Sequence, residues 1–205
     1  MDYHYPDINK LNAYLKIIDE SIVMIRVNSH GSVVSGSGFC FAPNYIATNK
    51  HVVQGTNADD IAVIGKHGTY SVERVALDPV NDLAVLRVNC GLPSLRLGEF
   101  DFVEPGEEVI AIGFPHPSSE DFTENLFISK GIVNAIKKSN WLPGRVLYID
   151  SKIGGGMSGG PLINDLGEVV GVLTLIEYLP EGKDEKYFQA QPIAQPIHLV
   201  KRLAL

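Results

Sequence analysis

The chain has 205 residues, 45% of them hydrophobic and 20% charged, with 20 glycines and 12 prolines; these are the proportions of a globular protein that buries one large core or two small ones. Its formal net charge is −7 and no Lys/Arg-rich run stands out, which argues against nucleic acid or an anionic membrane as partner. No stretch reaches the length of a membrane span, and the opening MDYHYPDINK has neither the basic nor the apolar region of a secretory leader.

Residues 7–19 are expected to be helical: Asp7 can cap, and Ile8, Leu11, Leu15 and Ile18 recur at helical spacing on one apolar face. After Glu20 the texture changes to SIVMIRVN, β-branched and apolar as a buried strand should be. From there short apolar runs alternate with Gly, Pro, Asn and Asp. They cover 35–42, 45–48, 60–64, 70–78, 83–88, 108–112, 126–136, 146–150, 162–163, 169–176 and 188–190. Turn signals at such regular intervals predict an all-β sandwich or barrel. The polar, turn-rich GEFDFVEPG at 98–106 divides the chain into β-halves of similar length, 21–98 and 106–195, flanked by segments 1–20 and 196–205. The charged stretch 177–186 (EYLPEGKDEK) is expected to be a long loop between the last two strands, and 196–203 returns to a helical pattern. Cys40 (GFCFA) and Cys90 (NCG) fit neither a metal spacing nor a disulfide framework. Free thiols suit a reducing compartment, so a cytosolic address is expected, or a periplasmic or secreted one if a signal peptide has been removed.

One stretch is written in a costly way. IDSKIGGGMSGGPLINDLGEVVGV breaks an apolar strand with three glycines, places Ser158, and adds two more glycines and a proline before resuming as strands. Glycine loses more backbone freedom on folding than any other residue, so such a run needs a geometric reason. A tight loop presenting the Ser158 hydroxyl beside inward-turned N–H groups is one; a Gly-rich turn with an incidental serine is the other. A serine nucleophile needs a neutral imidazole as base and an acid to fix its tautomer. Of six histidines, His4, His30 and His67 lie in polar or Gly-flanked surroundings, His116 in a Pro-rich loop and His198 on the terminal helix. His51 instead stands where the strand YIATNK gives way to VVQG, and Asp82 opens the buried strand DLAVLRV. Each alone reads as a core histidine or a strand-capping aspartate; the order His, Asp, Ser makes them a set.

At these residues the chain resembles the trypsin-fold serine proteases, and within them the HtrA/Deg type. GSGFCFAPNYIATNKHVV resembles the segment carrying the family's catalytic histidine (His51), and NDLAVLRV the segment carrying its aspartate (Asp82). PGEEVIAIGFP and KGIVNAI resemble early second-barrel strands, DSKIGGGMSGGPLIN the nucleophile segment (Ser158), and IAQPIHLVKRL the close of the protease domain. The resemblance implies a single protease domain of two six-stranded antiparallel β-barrels, with His51 and Asp82 from the first and Ser158 from the second. It implies endopeptidase action on polypeptides, with no cofactor and no metal. The oxyanion loop falls on Gly156, Met157 and Ser158, with the N–H groups of Gly156 and Ser158 as donors. Lys152, Ile153, Leu173, Thr174 and Ile176 fall around the primary specificity pocket. Ile153, Leu173 and Ile176 favour a small-to-medium apolar side chain before the scissile bond, whereas Lys152, if it reached in, would favour an acidic one.

The chain also departs from the family. Where the family usually has Asn-Pro and then an asparagine before the nucleophile, this chain has Gly154-Gly155 and Met157. Proline restricts its own backbone and its predecessor's, so a looser oxyanion loop is expected here, able to switch between competent and collapsed forms. With Leu205 closing the protease segment, the PDZ domain typical of the family is expected to be absent. The alternative reading is therefore a protease-fold module that binds peptides or partners and is inactive, or active only when a partner orders the loop. A homo-oligomer is a further possibility that the resemblance raises.

Overall fold

A computed structural model of the chain describes residues 16–29, 32–115, 125–139, 142–180 and 188–203. Twelve strands dominate these residues. β1 (Ile22–Ser29), β2 (Ser32–Ala42), β3 (Tyr45–Thr48), β4 (Ile61–Gly65), β5 (Gly68–Leu77) and β6 (Ala84–Val88) close into one antiparallel barrel in the order β1-β2-β3-β6-β5-β4. β7 (Glu108–Gly113), β8 (Phe127–Lys138), β9 (Arg145–Ile149), β10 (Pro161–Asn164), β11 (Val169–Pro180) and β12 (Phe188–Pro196) close into a second, in the order β10-β11-β12-β9-β8-β7. The expected all-β architecture of two six-stranded barrels is what the chain adopts.

The turns explain the close spacing of the strands. β2 and β3 are joined through Asn44 at φ 67, a left-handed conformation that asparagine tolerates better than most residues. In β1, the run Val23, Met24, Ile25 and Val27 is buried on both faces, because one face meets its own barrel's interior and the other the rest of the molecule. Val23, Ile25, Val27, Ile46, Val63 and Leu86 fill the first barrel, and Val109, Val133, Leu147, Leu162 and Leu173 the second. A third cluster joins them: Met24, Phe39 and Val85 from the first barrel meet Ile112, Ile163, Val172, Ile197 and Val200 from the second half. The segment between the barrels lies along this cluster, held by Leu97 bridging to Val169 and by Gly98 N–H donating to Val169 O at 2.9 Å.

Three expectations change. Residues 16–21 form a helix, α1, while the remainder of the expected 7–19 helix lies outside the described residues. The charged stretch 177–186 is not all loop. β11 runs on to Pro180 because the ladder with β12 continues from Glu177↔Gln191 to Pro180↔Phe188, and pairing overrides the polar composition; residues 181–187 lie outside the described residues. The closing helix is shorter than expected, since Pro196 still pairs with Gly171 in β12 and only His198–Lys201 are α-helical.

Candidate active site

Asp82 is the hub of the site. It follows a loop closed at its base by Asp78 N–H donating to Leu83 O at 2.9 Å. Within that loop the Asp78 carboxylate accepts the N–H groups of Val80 and Asn81, each at 2.8 Å, and the Asn81 side chain at 3.0 Å. An aspartate bonding backbone two and three residues on is the usual way for this side chain to build a turn. The Lys50 ammonium donates to Asp78 O at 2.9 Å, fastening the loop to α2 (Lys50–Val53). Burial pushes the Asp78 carboxyl up, but the Asn81 and Val80 donors and the Lys50 charge outweigh it and hold it below the usual carboxylate value.

α2 is a single turn following β3, anchored by buried Val52 and Val53. Its first-turn N–H groups have no intrahelical acceptor, and Asp82 supplies one: His51 N–H donates to Asp82 Oδ1 at 2.8 Å. The other oxygen lies 2.6 Å from His51 Nδ1. An ionised carboxylate only accepts, so Nδ1 carries the proton and the lone pair of the neutral ring sits on Nε2. Asn49 Nδ2 donates to Asp82 O at 2.8 Å, and Thr174 Oγ1 donates to Asp82 Oδ2 at 2.9 Å from across the barrel boundary. Desolvation alone would raise the Asp82 carboxyl; the His51 bonds and the Thr174 hydroxyl hold it below the ordinary range. The His51 side chain is 41% exposed and that of Asp82 13%, so the ring faces solvent while its acid is sheltered.

Ser158 stands in the loop between β9 and β10. Met157 N–H donates to Gly154 O at 3.1 Å, with Gly156 at φ 96 and Gly155 not at positive φ, which are the marks of a type II turn with glycine at its third position. Gly159, at φ 90, is pressed so hard on the first barrel that a Cβ would lie 2.1 Å from Ser37 O. No other residue fits there. Ser158 Oγ donates to Thr174 O at 2.9 Å, and among the described residues no hydrogen bond joins it to His51. Thr174 thus touches both ends of the set, its hydroxyl on Asp82 and its carbonyl on the Ser158 hydroxyl.

The other candidates fall as follows. The N–H groups of Gly156 and Ser158 have no backbone acceptor among the described residues, whereas that of Met157 is committed to the turn and its side chain is buried. Met157 thus sits in the expected loop with its N–H turned back to Gly154 O, while the two N–H groups expected as donors are those left without a backbone acceptor. Lys152 is exposed, its N–H bonded to Ser129 Oγ at 2.8 Å, and Ile153 is half-buried against the second core. Leu173 is fully buried in that core and Thr174 is turned toward Asp82. Ile176, on β11, pairs with Pro192 of β12; its side chain lies outside what is described. No cluster of His, Cys, Asp and Glu among the described residues could hold a metal ion.

Three residues at the site were not singled out in these roles by the sequence: Thr174 as a partner of Asp82, Asp78 as builder of its loop, and Ser37. Ser37, fully buried on β2, donates its N–H to Ser158 O at 2.8 Å and its hydroxyl to Gly156 O at 2.7 Å. It also accepts Phe114 N–H at 2.9 Å and, through its carbonyl, Thr48 Oγ1 at 2.8 Å. The signal was there in GSG, a small polar interruption in an apolar strand.

Residues 36–172 match the trypsin-like peptidase domain. The magnetosome formation protease MamE of Paramagnetospirillum magneticum is 38% identical over 160 residues, covering 74% of this chain and 20% of its own length. A probable periplasmic serine endoprotease, DegP-like, of Ectopseudomonas mendocina is 38% identical over 140 residues, covering 67% and 28% respectively. The chain thus spans 20% to 28% of the length of these relatives. Among solved structures, an HtrA-type protease AlgW with tripeptide superposes with a TM-score of 0.75 at 23% identity, over 93% of this chain and 61% of that one. A serine endoprotease from Yersinia pestis gives 0.73 at 27%, over 93% and 64%. With two antiparallel barrels and a match across two thirds of its length, the chain belongs to the trypsin-like peptidase family of serine proteases, and its relatives are of the HtrA/DegP type.

Proposed function

We propose that the chain is a serine endopeptidase domain in which Ser158 is the nucleophile, His51 the general base and acid, and Asp82 the residue that orients the imidazole. The observation that carries this reading is the Asp82 carboxylate. It gathers His51 N–H, His51 Nδ1–H and the Thr174 hydroxyl, while the carbonyl of that same threonine holds the Ser158 hydroxyl. In the reaction, Ser158 Oγ turns from Thr174 O toward His51 Nε2, gives up its proton and attacks the peptide carbonyl carbon. The oxyanion is held by Gly156 and Ser158 N–H; the imidazolium, facing ionised Asp82, then protonates the leaving amine. Water repeats the sequence on the acyl-enzyme and releases the product acid. No step calls on a cofactor or metal.

By the family resemblance Ile153, Leu173 and Ile176 fall around the primary specificity pocket, which supports a small-to-medium apolar residue before the scissile bond. A missing or extra methylene discriminates by only about 1–3 kcal/mol, so the preference is a graded one. Substrates are polypeptides, and a homo-oligomer or a regulatory partner is compatible with the fold. Two cysteines that are free thiols, one buried, suit a reducing cytoplasm, although a relative is named as periplasmic. A second reading draws on the Ser158–Thr174 bond: a resting serine turned away from His51 is what a protease-fold module that awaits a partner would show.

A fluorophosphonate probe separates the two. Covalent labelling of the wild-type chain, lost in Ser158→Ala and in His51→Ala, supports the peptidase. Labelling only after a partner is added supports the second reading, and absence of labelling under every condition rejects the peptidase and leaves a module that binds without catalysis.

A further inference from the structure

The nucleophile loop carries three consecutive glycines just where it must hold two N–H groups in fixed directions, so its stiffness has to come from elsewhere. The first barrel supplies it. Ser37 spends its hydroxyl proton on Gly156 O at 2.7 Å and its N–H on Ser158 O at 2.8 Å, the carbonyls of the two residues whose N–H groups have no backbone acceptor. The hydroxyl oxygen is itself fixed by Phe114 N–H at 2.9 Å, and Ser37 O by Thr48 Oγ1 at 2.8 Å, so Ser37 has no freedom to follow the loop if it moves. Space is closed as well: a Cβ on Gly113 would lie 2.8 Å from Ser37 Oγ and 3.0 Å from Met157 Cα. Pinning Gly156 O fixes the peptide between Gly156 and Met157, whose N–H closes the turn on Gly154 O at 3.1 Å, so the Gly155–Gly156 peptide that carries the Gly156 N–H is held between two anchored ends. Without that bond the Gly154–Gly156 backbone can rotate its middle peptide at little steric cost, since glycine populates both signs of φ.

We infer that Ser37 is a positioning residue that clamps the oxyanion loop from the opposite barrel, holding Gly156 and Ser158 N–H in the reactive arrangement. This rests on the peptidase reading above, and the experiment keeps the two apart. In wild type and Ser37→Ala, kcat and KM are measured on a fluorogenic peptide with valine before the scissile amide. Affinities are measured for the matching peptide boronic acid, which forms the tetrahedral adduct, and for the cleaved product peptide. Backbone amide exchange at Gly154–Gly160 is followed by mass spectrometry in the resting protein.

In Ser37→Ala, kcat is expected to fall by roughly 10–100-fold with KM within about twofold, a smaller loss than the 10²–10³ of deleting an oxyanion donor itself. Boronate affinity should fall by the same factor as kcat/KM while product affinity holds, and exchange in the loop should quicken at least tenfold. A general packing defect would instead weaken product and boronate alike, and that outcome overturns the inference, as does unchanged kcat. Loop exchange is read without turnover, so unchanged exchange overturns it even if no peptide is cut, whereas an inactive wild type counts only against the peptidase reading. If Ser37→Ala does not fold, Ser37→Cys keeps a weak donor in the same place. Activity and loop protection should then fall between wild type and background, and full wild-type values would overturn the clamp.

Discussion

Thr174 makes two hydrogen bonds that no other residue at the site could make together. Its hydroxyl gives the sheltered Asp82 oxygen a donor besides His51, and its carbonyl receives the Ser158 proton. A hydrogen bond to a charged group contributes about 1.5–3 kcal/mol, and losing one partner leaves the other desolvated. Thr174→Val is therefore expected to lower stability by about 1–2 kcal/mol at pH 7 and kcat/KM by about tenfold, read from urea unfolding and peptide hydrolysis. Values equal to wild type in both would show that the hydroxyl is idle. Sequence could place Thr174 near the pocket, but nothing in a strand reading VVGVLTLIEYLP tells that one hydroxyl crosses to an aspartate 92 positions earlier. His51, Asp82 and Ser158 were legible because each sits at a break between an apolar run and a turn. Contacts made between barrels were not, because they depend on which strand ends face one another after both barrels have closed.

Among the elements, the loop from Asp78 to Asp82 and the single turn α2 behave as one piece. Lys50 holds the loop's carbonyl and Asp82 caps the turn that carries His51, so neither can be displaced alone. Asp78 is the charged keystone of this piece, and its carboxyl lies below the ordinary value of about 3.9. A depressed carboxyl stabilises the fold fully above its unfolded pKa and loses that contribution as pH falls through the lower folded value. Asp78→Asn should thus be less stable than wild type by a constant margin above about pH 5. The margin should close as the pH falls through about 4 and below, in urea titrations across pH 2.5–7. A margin that does not change with pH would mean that the charge contributes nothing. The DPVND pattern was readable as a turn before a strand; that its first aspartate, and not only its last, shapes the site needed the loop's own hydrogen bonds.

For the whole molecule, the shared cluster of Met24, Phe39, Ile112, Phe114, Val172 and Ile197 ties the two barrels' own cores to each other through a third. One cooperative unfolding transition is expected, with far-ultraviolet and near-ultraviolet signals coinciding in urea; two resolved transitions would mean that the barrels fold independently. The all-β class followed from the rhythm of turns and apolar runs and the two barrels from the family resemblance, whereas the extension of β11 to Pro180 was hidden by its charged, proline-bearing sequence. The Ser158–Thr174 bond has a consequence at this scale. In the proposed reaction the Ser158 proton has two acceptors to choose between, Thr174 O at rest and His51 Nε2 in the reaction. The resting bond therefore competes with the base for the same proton, and the nucleophile is armed only when its hydroxyl turns across the boundary between the two barrels.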